Sequence, residues 1–376
     1  MDVTEKMLDG AGAGHLPELL STMGGRELQT TLLETFALRA GNLAASDVLR
    51  QYETSEFTTM CELGQRDIIR FEGFAADTIP PKFDLVELPP VTALGSNSVF
   101  SNVSQRTVMA TSRNTEVIAD GVTALTLEAA RRRRQNDGGP VENHLGTFHR
   151  EMRTQQHVRP GFTTHFHALS LVSSEKVALP DEFKSRTFAD HTATYLDIIQ
   201  NAGVLGYEAN NIEVALSNVR VMSLLVAAMG LDKETLLKNT RTPGFDAFKF
   251  CGVPLPSKVA PGDLEGTAES LPSHLHNIAR PLAYMGRSFA ETVDRIHTTY
   301  GSKVSVVFDL GRHAGMGYYQ DLAVKITATN AEGNSYPLVD IGTNDWLAKL
   351  LNNKQERLIT GGMGTELFMK KFRQTA

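Results

Sequence analysis

A charged strand that returns as an apolar one constrains this chain most. It lies in LGTFHREMRTQQHVRPGFTTHFHALSLVSSE, from Leu145 to Glu175. The outward strand carries Arg150, Glu151 and Arg153, and an irregular loop follows. Phe166 to Val172 then comes back with Leu169 and Leu171 spaced to be buried. Alternation of this kind predicts antiparallel pairing with one face on a core. Residues three apart do not share a strand face, so Arg150 and Arg153 serve one site only if the strand twists or bulges. Taken alone, the hairpin reads equally as a solvated rim of ordinary ion pairs.

A chain of 376 residues suits two domains, or one large domain with an inserted or appended subdomain. Its 41% hydrophobic and 21% charged content is ordinary for a soluble globular protein. The net charge of -6 weighs against a nucleic-acid coat. Arg131 to Arg134 form the one basic run, and a helix C-terminus explains them as well as a groove does. The two cysteines, Cys61 and Cys251, are far apart without a CxxC. They predict neither a disulfide scaffold nor a cysteine zinc site, and they fit a reducing cytoplasm. The N-terminus is acidic and has no apolar core segment of the signal-peptide kind. VRVMSLLVAAMGL, from Val219, is too short to cross a membrane, so no membrane partner is expected.

Residues 1 to about 15 are rich in Gly and Ala and read as poorly ordered. Helical periodicity then runs to about Glu62, with Gly25 and Gly41 as punctuation. We take 1–65 as an N-terminal helical region, 66–231 as the first part of a core, 232–300 as a helical insert and 301–376 as the rest of the core. In the first part, Pro80-Pro81 leads into a short strand, FDLVEL, and SVFSNVSQRTVMATS reads as strand-rich. Asp120 and Asn218 are candidate N-caps. Within the insert LDKETLLKN is periodic, and Pro281 is expected to kink or divide a longer helix. The chain returns to strands at SVVFDLG, LAVKITAT and YPLVDI. Strand pairs with helices packed around them predict an α+β fold: an antiparallel sheet flanked by helices, with a helical insert.

Taken in order, residues 70 to 372 resemble the class II aminoacyl-tRNA synthetase catalytic fold. The likeness is nearest to the histidyl-tRNA synthetase branch, which includes the regulatory subunit of ATP phosphoribosyltransferase. FDLVELPPV resembles the first class motif, which implies a homodimer. TSRNTEVIADGVTALTLEAARR is similar to the branch's Arg-Pro-Glu-x-x-Thr turn and helix, giving Arg113 and Glu116 as substrate-binding residues, Glu116 for an amino group. The hairpin resembles the second class motif. It implies Arg150 or Arg153 for an α-phosphate and a carboxylate, with Glu151 beside the substrate. GMGYYQDLAVKI resembles the histidine-site stretch and gives Tyr318, Tyr319 and Gln320; Arg312 lies two residues from the place of that stretch's arginine. ITGGMGTELF resembles the third motif, with Glu366, like Arg150, on the cofactor side.

The departures are as specific. Leu367 follows Glu366 where the family has the arginine that grips the γ-phosphate of ATP, a triphosphate that needs dispersed cations and usually Mg²⁺. Lys370, Lys371 or Arg373 would have to substitute, and Lys does not reproduce a bidentate arginine grip. Gly317 stands in place of the aspartate before the tyrosine pair. The sequence stops at Ala376 just after the third motif, so no anticodon-binding domain and no tRNA charging are expected. His165 and His167 make an HxH without a fixed third ligand, so no metal is assigned. Neither a phosphate-binding GK[ST] loop nor a GxGxxG between strand and helix is present. The leading expectation is a synthetase-like protein that binds a small amino acid or carboxylate metabolite, as a regulatory partner of an enzyme. One alternative is an ATP- and Mg²⁺-dependent amino-acid ligase that forms an acyl-adenylate. The other is a vestigial dimeric scaffold.

Overall fold

A computed structural model describes residues 3–136, 142–154, 163–231, 239, 245–253 and 255–374. At its centre is a nine-stranded sheet in the order β1-β4-β5-β11-β10-β9-β6-β8-β7. The strands are β1 Asp84–Leu85, β4 Asn143–Met152, β5 His165–Lys176, β6 Asn210–Asn218, β7 Lys258–Val259, β8 Val304–Asp309, β9 Leu322–Thr329, β10 Ser335–Asn344 and β11 Glu356–Met363. A small ladder joins β2 Val91–Ala93 to β3 Thr115–Val117. Pairing is antiparallel except for β1 with β4 and β6 with β8. The fold is therefore the α+β sheet that the sequence predicts.

Alternation divides the sheet into two faces. Leu169, Leu171 and Ile341 pack with Phe183, Phe188, Tyr195 and Ile199 of the Pro180–Asn201 helix, and with Leu282, Met285 and Phe289 of the Ala279–Tyr300 helix. Phe188 and Phe289 meet edge-on at 4.9 Å. On the opposite face Leu145, Val172 and Leu358 pack with Ile118, Leu125 and Trp346. There the Gly121–Gln135 helix starts at Asp120, whose carboxylate accepts the Val122 N–H at 3.3 Å. A Cβ at Gly121 would stand 2.7 Å from Ser170 Oγ on β5, so a larger residue there would displace that hydroxyl.

Several expectations are corrected. Residues 3–10 form a helix where composition read as unstructured. SVFSNVSQRTVMATS is a loop with one 3-10 turn, Gln105–Thr107; only its end meets β3, where the Val117 N–H donates to the Met109 carbonyl at 2.9 Å and the Thr111 N–H to the Thr115 carbonyl at 2.8 Å. Pro281 divides nothing. It falls in the first turn of a 22-residue helix, where a missing N–H is harmless, and the break comes earlier, at the 3-10 segment Ser273–Ile278. LDKETLLKN, the QNDGG that follows the arginine run and the hairpin loop near His157 lie wholly or largely outside the described residues. The predicted N-terminal helices are present at Leu16–Thr22, Gly25–Gly41 and Ala45–Thr54, and none contains a buried residue. Among the described residues, no helix is long and apolar enough to cross a membrane.

Candidate functional site

The hairpin register is Arg150 opposite His167 and Glu151 opposite Phe166. Glu151 and Arg153 therefore share the face under the Gly121–Gln135 helix, and Arg150 lies on the other. The two arginines of the stretch serve different neighbourhoods.

Arg150 donates to His165 Nδ1 at 2.8 Å and approaches Glu366 Oε2 at 3.4 Å. His165 is fixed by Thr59, whose carbonyl lies 2.6 Å from Nε2, and His167 Nδ1 lies 2.8 Å from Glu72. Glu366 is buried against Lys370 at 2.9 Å and also accepts the His167 N–H at 3.1 Å. Burial acts to raise its pKa, but Lys370, Cys61 and that N–H together hold it below the ordinary carboxylate value. Lys370 also pairs with Glu62 at 3.5 Å, and Arg373 pairs with Asp67 at 3.5 Å. Two of the three cations named as substitutes for the third-motif arginine are thus held by carboxylates. Among the described residues, no group of three His, Cys, Asp or Glu side chains is placed to hold a metal ion.

The opposite face carries a second set of charged contacts. Arg153 donates through Nε to the Ala119 carbonyl at 2.9 Å and through Nη2 to Glu151 at 3.3 Å, and its guanidinium lies 5.3 Å from the Phe166 ring centroid. Glu151 accepts the Gly121 N–H at 2.8 Å. Burial, then the nearby Asp120 charge, pushes its pKa up to about 7 against the pull of Arg153 and that N–H. Asp120 accepts the Tyr318 hydroxyl at 2.7 Å, and Tyr318 meets Tyr319 edge-on at 4.9 Å. The Arg312 guanidinium lies 5.6 Å from the Tyr319 ring centroid, and its Nη2 donates to Asp340 Oδ1 at 2.6 Å. A continuous run of contacts therefore joins Arg153 to Asp340. Burial and the neighbouring carboxylates Asp120 and Asp340 push both tyrosine hydroxyls well above their ordinary range.

Both tyrosines face this side, although alternation on a regular strand would split them. They sit in the loop before β9, outside the strand. Gln320 follows them with its N–H on the Thr343 carbonyl at 2.8 Å. Arg113 is exposed in the turn entering β3. Glu116 is fully buried and its two oxygens take four donors: the N–H groups of Gly95 and Asn97, the Asn97 amide and the Gln105 amide. Burial opposes its charge, but the Gln105, Gly95 and Asn97 bonds hold its pKa below the ordinary value. Its geometry is that of a staple for the 95–105 loop, which reaches over this face through Asn102 to the Gly317 carbonyl at 3.0 Å. Replacing Glu116 with Ala should cost about 3 kcal/mol by leaving those donors unpaired. Thermal unfolding would show it, together with faster proteolysis within residues 95–107.

Sequence reasoning missed Asp340. It lies 28 residues from Arg312 with no motif around it, and only the strand order brings the two together. No family model matches the chain, and no curated protein matches its sequence. Solved structures do match in fold. An ATP phosphoribosyltransferase regulatory subunit/histidyl-tRNA synthetase from Bacillus halodurans C aligns over 84% of this chain and 82% of its own, with TM-score 0.61 and 14% identity. A histidine–tRNA ligase subunit from Alicyclobacillus acidocaldarius aligns over 82% and 94%, with TM-score 0.59 and 12% identity. The histidyl-tRNA synthetase of Nostoc sp. PCC 7120 aligns over 84% and 74%, with TM-score 0.57 and 12% identity. The fold of this chain is the class II aminoacyl-tRNA synthetase fold, in the form shared by histidyl-tRNA synthetases and the ATP phosphoribosyltransferase regulatory subunit.

Proposed function

We propose that this protein binds a small amino acid or related carboxylate metabolite on the Arg153–Arg312 face, does not adenylate it, and acts as the regulatory partner of an enzyme. The observation that carries this reading is Arg312. Its side chain is 2% exposed, and among the described residues Nη1 has no hydrogen-bond partner. A buried, unsatisfied guanidinium nitrogen costs stability unless an anion completes it. The ATP side supports the reading too. Leu367 stands where the family's γ-phosphate arginine would be, and Lys370 and Arg373 are held by carboxylates. These residues do not fit a triphosphate. β1 ends the sheet, and a homodimer would form along it.

The test is amino-acid-dependent pyrophosphate exchange over all twenty amino acids, paired with a thermal-shift screen of the same compounds and of nucleotides. Stabilisation by an amino acid without exchange is expected. Exchange with any substrate would instead establish the ligase, and silence in both assays would leave a vestigial scaffold.

A further inference from the structure

Resting on that reading of the Arg153–Arg312 face, we propose that the ligand is an α-amino acid with a short side chain. Asp340 accepts its ammonium group, Arg312 Nη1 takes its carboxylate, and Tyr319 excludes larger side chains.

The two charged groups come first. Arg312 and Asp340 are already joined at 2.6 Å, so a guanidinium and a carboxylate sit side by side. The Asp340 side chain remains 47% exposed, open to a further donor. An α-amino acid carries the complementary pair, carboxylate and ammonium, on one carbon. It can engage both partners at once through charge-assisted bonds. A plain carboxylate would satisfy Arg312 and be repelled by Asp340.

Glycines then define the space. On β11 Gly362 pairs directly with Asp340 of β10 and with Ser170 of β5, and a Cβ built on it meets nothing within 4 Å. The place beside Asp340 is therefore open down to the backbone. Gly342 is two residues along β10 on the same face, and its surroundings are the reverse. A Cβ there would stand 2.3 Å from Tyr319 Cδ1 and 2.6 Å from Cγ and Cε1. On another side of the ring, Gly315 at φ +86° would place a Cβ 2.6 Å from Cδ2. Two glycines thus leave a slot for an aromatic ring against the sheet. Glycine inside a strand often marks close approach by a ligand. Here the protein's own Tyr319 fills the slot, so a bulky side chain on a ligand over Gly362 has no room in that direction.

The experiment is calorimetric binding of glycine, alanine, serine, leucine and phenylalanine to the full chain, to Tyr319→Ala and to Gly342→Ala. The wild type should favour the three small amino acids over phenylalanine by about tenfold or more, as expected of a steric limit. Tyr319→Ala opens a ring-sized cavity and should gain about tenfold for phenylalanine. Gly342→Ala, which displaces the ring without deleting it, should weaken the preference. A wild type that binds phenylalanine as tightly as alanine overturns the proposal, whether or not the variants fold. So does a folded Tyr319→Ala that keeps the wild-type order. Either result leaves the proposed function standing. A wild type that binds none of the five overturns the proposal and leaves the proposed function to a different amino acid or a carboxylate without an ammonium group.

Discussion

Lys184→Met should destabilise the protein by about 3–5 kcal/mol, because it strands a buried carboxylate. Lys184 donates to Asp321 Oδ2 at 2.9 Å and to the Tyr284 hydroxyl at 2.8 Å, and both members of the ion pair are nearly inaccessible. Burial acts against each charge. Asp321 nevertheless holds the lysine pKa above its ordinary value, and Lys184, with Thr343 and the Leu322 N–H, holds the aspartate below. Removing one partner leaves the other charged and unpaired. Lys184→Met/Asp321→Asn should recover at least half of the loss, because the amide carbonyl can still accept the Leu322 N–H, now bonded at 2.7 Å. Urea unfolding of wild type, single and double variants measures both. A single variant that loses under 1 kcal/mol would show the pair to be solvated.

The same pair reaches the site. Asp321 directly follows Tyr318, Tyr319 and Gln320, and its carbonyl accepts the Val219 N–H at 2.8 Å. Tyr284 belongs to the Ala279–Tyr300 helix. Loosening Lys184 therefore frees the loop that seats Tyr319, and ligand affinity should fall with stability.

What the sequence made legible followed local rules. Alternation placed Arg150 and Arg153 on opposite faces before the register was known, and the register of Arg150 with His167 bears this out. Asp120 and Asn218 cap the helices that their side chains and positions predicted. The order of strands and helices carried the fold even though the solved structures that share it are only 12–14% identical. The failures were long-range. The 98–112 segment has strand-like composition, but Glu116 of β3 holds it as a loop through the Gln105 amide and anchors the turn before it through the Gly95 and Asn97 N–H groups. Asp340 was invisible because its partner arrives from another segment. The loss of the third-motif arginine could be read directly. The capture of Lys370 by Glu366 and Glu62 could not.

Glu151 gives the second large effect, and its sign is opposite to that of an ordinary paired carboxylate. Its pKa rises from the usual 4.5 to about 7 in the folded state, chiefly through burial and then through Asp120. The folded protein therefore binds a proton that the unfolded chain has released. The resulting stabilisation is complete below pH 4.5 and is lost as pH rises through 7. The span corresponds to on the order of 3 kcal/mol. Glu151→Gln keeps an acceptor for the Gly121 N–H but cannot titrate. Wild type should therefore lose stability relative to this variant by about that amount between pH 4 and pH 8. His191, whose buried imidazole is lowered to about 3, acts with the opposite sign on the acid side, but it is present in both proteins and cancels in the difference. Ionised Glu151 also competes for Arg153, so ligand affinity in the wild type should decline above pH 7, and Glu151→Gln should flatten the decline. A stability difference that is constant across this range would mean that Glu151 is already ionised at pH 5, with Arg153 outweighing its burial.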